Sequence, residues 1–389
     1  MEMNLKASIP EFHWFRIISL LLVITVILPA SFSRAGDFLK QPAFKTKQPA
    51  RAALMDITRT GHRLIAVGER GLIIYSDDDG RKWTQAEVPV RTTLTAIRFS
   101  EPESGWAIGH ECVLLHSTDQ GSTWKKVLDG YQINDMMITA MQAVTDKIRQ
   151  RLQAAPEEAK ADIKARLEDA EVNLKGFVET QQEGPIQPLL AIDFTNPQEG
   201  LLVGAFGVIL HTGDGGKTWI PYLDRISNPM GYHFYGIART KDRMFIFGEA
   251  GGAYISNDNG NHWEAFEAPY QGSFFGALSD PTGKLIAGFG LRGNLVISYD
   301  DGDNWQLVNL GQGAALTGGA LLSEQRFVLV GMTGVIYLGN TEKPGFKPVK
   351  TGFPACMAAI EASDGSLVLV GLEGVKRITL DSKPVKEVN

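Results

Sequence analysis

Five copies of one short signature constrain this chain more than any other feature: Ser76-x-Asp78-x-Gly80-x-x-Trp83, Ser117-x-Asp119-x-Gly121-x-x-Trp124, Thr212-x-Asp214-x-Gly216-x-x-Trp219, Ser256-x-Asp258-x-Gly260-x-x-Trp263 and Ser298-x-Asp300-x-Gly302-x-x-Trp305. Ten residues before each Asp stands a glycine (Gly68, Gly109, Gly204, Gly248, Gly290) that closes an apolar run. The repeating unit is therefore a whole supersecondary motif, and a period of about 41 to 44 residues means radial or linear repetition.

A Gly-x-x-Gly step gives the count. It occurs at Gly68/Gly71, Gly204/Gly207, Gly248/Gly251 and Gly290/Gly293, with Cys112 in place of the second glycine after Gly109. Two further steps, Gly331/Gly334 and Gly371/Gly374, follow where the signature has decayed, which makes seven repeats. Each repeat holds short apolar runs parted by polar turns, then a strand beginning at the Trp. Four short antiparallel strands per ~41 residues is a propeller blade. The predicted fold is all-β, a seven-bladed β-propeller over residues 36–389 with an inserted α-helical hairpin between blades 2 and 3. Residues 38–50 are expected to supply the outer strand of the last blade, closing the ring and removing two open edges.

Each residue type in the signature answers a need of the third-to-fourth strand turn. Glycine permits positive φ, the Asp carboxylate accepts backbone N–H groups with the Ser or Thr hydroxyl behind it, and the Trp buries its face between blades. Runs such as Asp77, Asp78 and Asp79 invite a calcium or catalytic reading. Five equivalent positions cannot be one active site, however, and the spacing lacks the terminal bidentate Glu of a calcium loop. Asp78, Asp119, Asp214, Asp258 and Asp300 are therefore read as structural, and no metal or cofactor is expected.

Residues 1–35 read as a secretory signal peptide: a basic start, an apolar run from Ile17 to Leu28, then Ser33-Arg34-Ala35 before Gly36. An uncleaved anchor is the rival, although this run falls short of the ~20 residues that span a bilayer. No cysteine follows the run, which excludes lipid attachment there. The expected destination is the periplasm, or the thylakoid lumen of a phototroph. Without the leader, 35 basic side chains face 42 acidic ones, a balance that disfavours nucleic acid. Cys112 and Cys356 fall in repeats 2 and 7 and are read as buried free thiols, so the chain relies on its core, as a monomer.

Between Trp124 and Trp219 the spacing grows to 95 residues. Met137, Met141, Val144, Ile148 and Leu152, then Ile163, Leu167, Ala170, Leu174 and Phe177, recur at three and four. Two amphipathic helices broken at Pro156 are predicted over 131–187, with Asp162/Arg166 and Glu171/Lys175 as surface pairs. The apolar seams are expected to pack on each other, leaving Met136, Ile138 and the tip for a partner.

The signature is the Asp-box, or BNR repeat, shared by sialidases, some xyloglucan-cleaving hydrolases, sortilin-type receptors and the photosystem II assembly and stability factors. Seven blades with Val-Gly-x-x-Gly-x-Ile-Ile-x-Ser-x-Asp-x-Gly-x-x-Trp running through them most resemble the last family, over roughly residues 50–375. The resemblance implies an exported, non-enzymatic scaffold that holds membrane-protein subunits during assembly. Its partner would be a photosystem II-like reaction centre or a bacterial membrane exporter. The helical insertion lies outside the family's core pattern and weakens transfer of a photosynthetic role.

The Gly-x-x-Gly turns and the connections between blades share one face. The two positions inside each turn vary in chemistry, as recognition requires, so Glu69, Arg70, His110, Glu111, Phe206, Glu249, Arg292, Met332 and Glu373 are the candidate partner-binding residues. The alternative is a glycoside hydrolase, which needs two carboxyls flanking one bond. Asp56 and Asp193, at matching places on inner strands, are the best acid pair. A sialidase also needs three arginines, and the ring holds only Arg70 and Arg292. His116 and His211 share one slot before the Asp-box and are read as packing residues.

Overall fold

Seven antiparallel sheets follow one another along the chain: blade 1 over 54–85, blade 2 over 94–128, blade 3 over 189–221, blade 4 over 234–265, blade 5 over 274–309, blade 6 over 316–350 and blade 7 over 356–378. The computed structural model describes residues 37–380 apart from Ile186 and Gln312, so the predicted signal peptide lies outside the described residues. Within each blade the strands pair in chain order. The first strand of each blade touches that of the next, and the inner strand of blade 7 touches that of blade 1. The ring is closed.

Second strands such as Gly105–Gly109, Met244–Gly248 and Leu367–Gly371 are buried at every position. Blades cover both of their faces, which explains why these strands read as unbroken apolar runs. Each Asp-box Trp packs back onto the preceding blade. Trp305 meets Phe245 and Phe247 of blade 4 at centroid distances of 5.8 and 5.7 Å, and Trp219 meets Trp106 of blade 2 at 5.9 Å. Trp83 joins Val368 and Val370 of blade 7, so the same device seals the ring. A ring of this size buries 150–250 Å², or roughly 4–6 kcal/mol of hydrophobic stabilisation per Trp.

Closure differs from the expected outer-strand exchange. Among the described residues blade 7 has three strands, and residues 37–51 do not pair with it as a fourth. They form a strap instead. Leu39 and Ala43 insert among Val67, Val88 and Val90, Ala43 N–H donates to Val88 O (3.0 Å), and Phe44 N–H donates to Arg70 O (3.1 Å). The spacing of the buried residues, four apart, suits a strap with pegs rather than an alternating strand.

The strap ends over blade 7. In blades 1, 5 and 6 a carbonyl of the connector to the next blade (Val90, Gly311, Phe353) crosses the second glycine of the turn so closely that a Cβ there would overlap it or nearly so. For Gly374 the crossing carbonyl is Ala50's. The segment leading into blade 1 thus makes at blade 7 the crossing that connectors make in blades 1, 5 and 6.

Blade 2 is the exception that Cys112 announces. Its chain leaves at Asp129 into α1 (Gly130–Ala154), turns at Ala155 and Pro156, and returns along α2 (Glu157–Glu183). The returning connector meets the turn at Gln187, whose carbonyl accepts Cys112 N–H (2.8 Å), and the Cys112 side chain packs beside Ile133 and Met137. Asp129 caps α1 in a capping box with Gln132. Met137, Met141, Ile163, Ala170 and Phe177 are buried. Met136 and Ile138 are partly buried against this cluster. Of the two predicted surface pairs Asp162/Arg166 forms at 3.1 Å. Glu171 instead reaches Arg149 across the hairpin (2.8 Å) and Lys175 turns to Glu179 (3.6 Å), because the facing helix offers the nearer cation.

Candidate binding face and central channel

Asp-box carboxylates are consumed by their own hairpins. In blade 3, Thr212 Oγ1 donates to Asp214 Oδ1 (2.9 Å) and accepts from Gly216 N–H (2.9 Å), while Thr218 N–H donates to Asp214 Oδ1 at 2.9 Å. The same triad recurs at Asp78, Asp119, Asp258 and Asp300. The sequence reading missed the residue before each Trp. Thr123, Thr218, His262 and Asn304 send a side-chain donor to the second carboxylate oxygen at 2.7 Å. The shared polarity of that position is the signal that marks it. Hydrogen bonds from Thr218, side chain first and backbone second, pull the Asp214 carboxyl down to about 2.

On the opposite face the turns of blades 1 to 5 each touch the inner strand of the next blade, so they rim the channel. Their middle residues hold left-handed backbone: Arg70, Glu111, Phe206, Ala250 and Arg292 have φ between 51 and 59°. Phe206 (51% exposed), Leu291 (38%), Met332 (42%) and Leu372 (47%) place apolar surface on four turns, with Arg292 and Glu373 exposed beside them.

The predicted ring residues do not all do the same thing. Glu69 accepts Ala53 N–H (3.2 Å) and Glu249 accepts His233 N–H (3.3 Å), so both carboxylates fasten their own inner strand. Arg70 lies over the Phe44 ring at 5.5 Å. His110 and Glu111 sit beneath the root of α1, where burial, and secondarily the charge of Asp37, raises the Glu111 carboxyl. Phe206 N–H donates to His233 Nδ1 (3.2 Å), and an aromatic line continues inward through His233, Tyr235 and Phe275 at successive spacings of 4.7, 5.9 and 5.6 Å. This line was not foreseen. Aromatics just after the first inner-strand position are its only trace.

Inner strands of all seven blades line a channel of about 260 Å³. Asp56 and Asp193 both border it but not at matching places: Asp56 pairs opposite Val67, next to the blade's glycine, whereas Asp193 pairs opposite Leu201, two residues further along. Each is neutralised by the following blade. Asp56 Oδ2 accepts from Arg98 Nη1 (2.7 Å) and Ile97 N–H (3.0 Å), and Asp193 Oδ2 accepts from Arg239 Nε (2.8 Å). The charge of Asp56 in turn raises the Arg98 pKa. His116 stacks on Trp106 at 4.0 Å and meets Ser104 Oγ, while His211 bridges Glu199 and Tyr222, as packing residues by register do.

A closed ring of Asp-box blades with a variable, partly apolar rim defines the chain as a seven-bladed β-propeller. It belongs to the family described as photosynthesis system II assembly factor YCF48, whose profile matches residues 41–145 and 178–306, more than half of the chain. The unmatched gap between those stretches falls inside the helical hairpin. The photosystem II assembly lipoprotein Ycf48 of Synechococcus sp. (strain CC9902) is 28% identical over 120 residues, 31% of this chain and 35% of that protein. The uncharacterized protein YkuO of Bacillus subtilis (strain 168) is 35% identical over 69 residues, 18% of this chain and 23% of that protein. These matches thus span about a third or less of the relatives' lengths. Among solved structures, YCF48 bound to D1 peptide superposes with a TM-score of 0.57 at 14% identity, covering 88% of this chain and all of that one. YCF48 from Cyanidioschyzon merolae gives 0.54 at 14% identity, covering 85% and 97%. At that identity they speak for the fold.

Proposed function

We propose that this propeller is a non-enzymatic assembly scaffold, exported from the cytoplasm, that docks an extramembrane segment of a membrane-protein subunit on its Gly-x-x-Gly face. The observation that carries this reading is the contrast between the two faces. One spends its polar groups on its own hairpins; the other exposes Phe206, Leu291, Met332 and Leu372 around a channel mouth. Exposed apolar anchors with a polar surround are the anatomy of a docking surface. Family membership and a solved relative bound to a peptide of D1 support the same kind of ligand.

The test is fluorescence anisotropy with peptides tiling the extramembrane segments of the host's membrane-protein subunits. At least one should bind saturably and lose about tenfold or more on Phe206→Ser with Met332→Ser. Val172→Ser, at an exposed hairpin position, should change nothing. Hydrolysis of sialosides or xyloglucan that Glu111→Gln abolishes, with no peptide bound, would overturn the reading in favour of a glycosidase.

A further inference from the structure

We propose that the strap, residues 37–51, is a contact for an anionic lipid surface, and that the Gly-x-x-Gly face is therefore the face turned toward the membrane. This goes beyond the docking of a protein segment. It rests on the strap's own chemistry.

Leu39 and Ala43 peg the strap into the body of blades 1 and 2. Around these pegs the aromatic and cationic side chains are exposed: Phe38 (44% exposed), Phe44 (48%), Lys40, Lys45, Lys47 and Arg51. Four cations and no Asp or Glu lie from Phe38 to Arg51, in a chain whose net charge is −6. Lys40 is paired with Asp37 at 2.9 Å. Lys45, Lys47 and Arg51 form no ion pair with any described residue. Glu69, which lines the same groove as Arg51, accepts Ala53 N–H.

Aromatic rings among unpaired ammonium groups fit the headgroup layer, with rings at the acyl boundary and cations on the phosphates. The backbone is already fixed, through Val88, Arg70 and Arg91, so little ordering entropy remains to be lost on contact. Position agrees with chemistry. The strap runs past the turn tip of blade 1, at Arg70, to that of blade 7, at Gly374, on the face that also exposes Phe206, Leu291, Met332 and Leu372. At Asp37 it is continuous with the segment that contains the apolar run Ile17 to Leu28.

The experiment is vesicle flotation of the full chain, comparing phosphatidylcholine with an equal mixture of phosphatidylcholine and phosphatidylglycerol. The wild type should prefer the anionic vesicles, and the preference should vanish near 1 M salt, where the Debye length is ~3 Å. Lys45→Ala, Lys47→Ala and Arg51→Ala together should remove on the order of 100-fold of that preference, about fivefold per cation. Residues 1–36 are present in both proteins, so their contribution cancels; matching thermal melts establish that the variant is folded. Equal binding to both vesicle types, or an unchanged variant, would overturn the proposal. So would a variant effect seen with a soluble acidic peptide but not with vesicles, which would assign the strap to an acidic protein. Peptide docking measured without lipid does not involve these side chains, so either reading can fail alone.

Discussion

Asp79 of blade 1 receives hydrogen bonds from both the hydroxyl and the backbone N–H of Ser363 in blade 7. Arg59 joins them, at 3.4 Å from Asp79 and 2.9 Å from the Glu361 carbonyl. With the strap on the other face, the seam where the ring closes is clamped at both ends. Asp79→Ala should cost about 1.5–3 kcal/mol, the range for hydrogen bonds to a charged group, read as a lower urea midpoint at constant m. An unchanged midpoint would mean that Trp83 packing alone closes the ring.

Gly216 has φ of 79°, and a Cβ there would overlap the Trp106 indole of the neighbouring blade. Gly216→Ala should therefore lose about 2–5 kcal/mol, combining left-handed strain with overpacking. Gly311 has a similar φ of 73° but open space around it. Gly311→Ala isolates the backbone cost, about 1–2 kcal/mol, and the difference between the two measures the interblade fit.

The Asp-box loops make a prediction about acid. Thr218 pulls Asp214 down to about 2, and Asn304, side chain before backbone, lowers Asp300. A carboxyl whose folded pKa lies below its unfolded value of ~3.9 contributes stability that is complete above that value and lost as pH falls through the folded one. The melting temperature should hold from pH 7 to 5 on this account and drop between pH 4 and 2. Thr218→Val and Asn304→Leu should flatten the drop, and a midpoint constant to pH 2 would count against the mechanism.

Cys112 and Cys356 are buried, and burial pushes their thiols up to about 12 and about 11. Neither should react with a disulfide reagent at pH 8 while the ring is intact, and both should react in denaturant. Rapid labelling of the native protein would show that blade 2 or blade 7 opens locally.

Met137 is fully buried against the base of the hairpin and blades 2 and 3. Met137→Ala should cost about 2–5 kcal/mol, with helix and sheet signals lost in one transition. Separate transitions would show the hairpin to be an independent arm.

Much of this was written in the sequence because each turn imposes chemistry on named positions: positive φ on Gly80, backbone acceptance on Asp78, interblade burial on Trp83. The hairpin was legible from its three-and-four spacing. Partners across space were not. Nothing in residues 38–50 distinguishes a pegged strap from an edge strand except the gap between Leu39 and Ala43. Arg149 outcompetes Lys175 for Glu171 only once two helices face each other. Glu69 and Glu249 looked free because their acceptors' partners, Ala53 and His233, lie some sixteen residues back along the chain. Chemistry within one turn is local; chemistry between strands waits for the register.

Cys112 stands where its counterparts are glycine, and its side chain rests against Ile133 and Met137 of α1. The thiol and the root of the hairpin thus share one niche. A protein engineer wishing to graft such an arm onto another blade would have to replace that blade's glycine as well as divert its link.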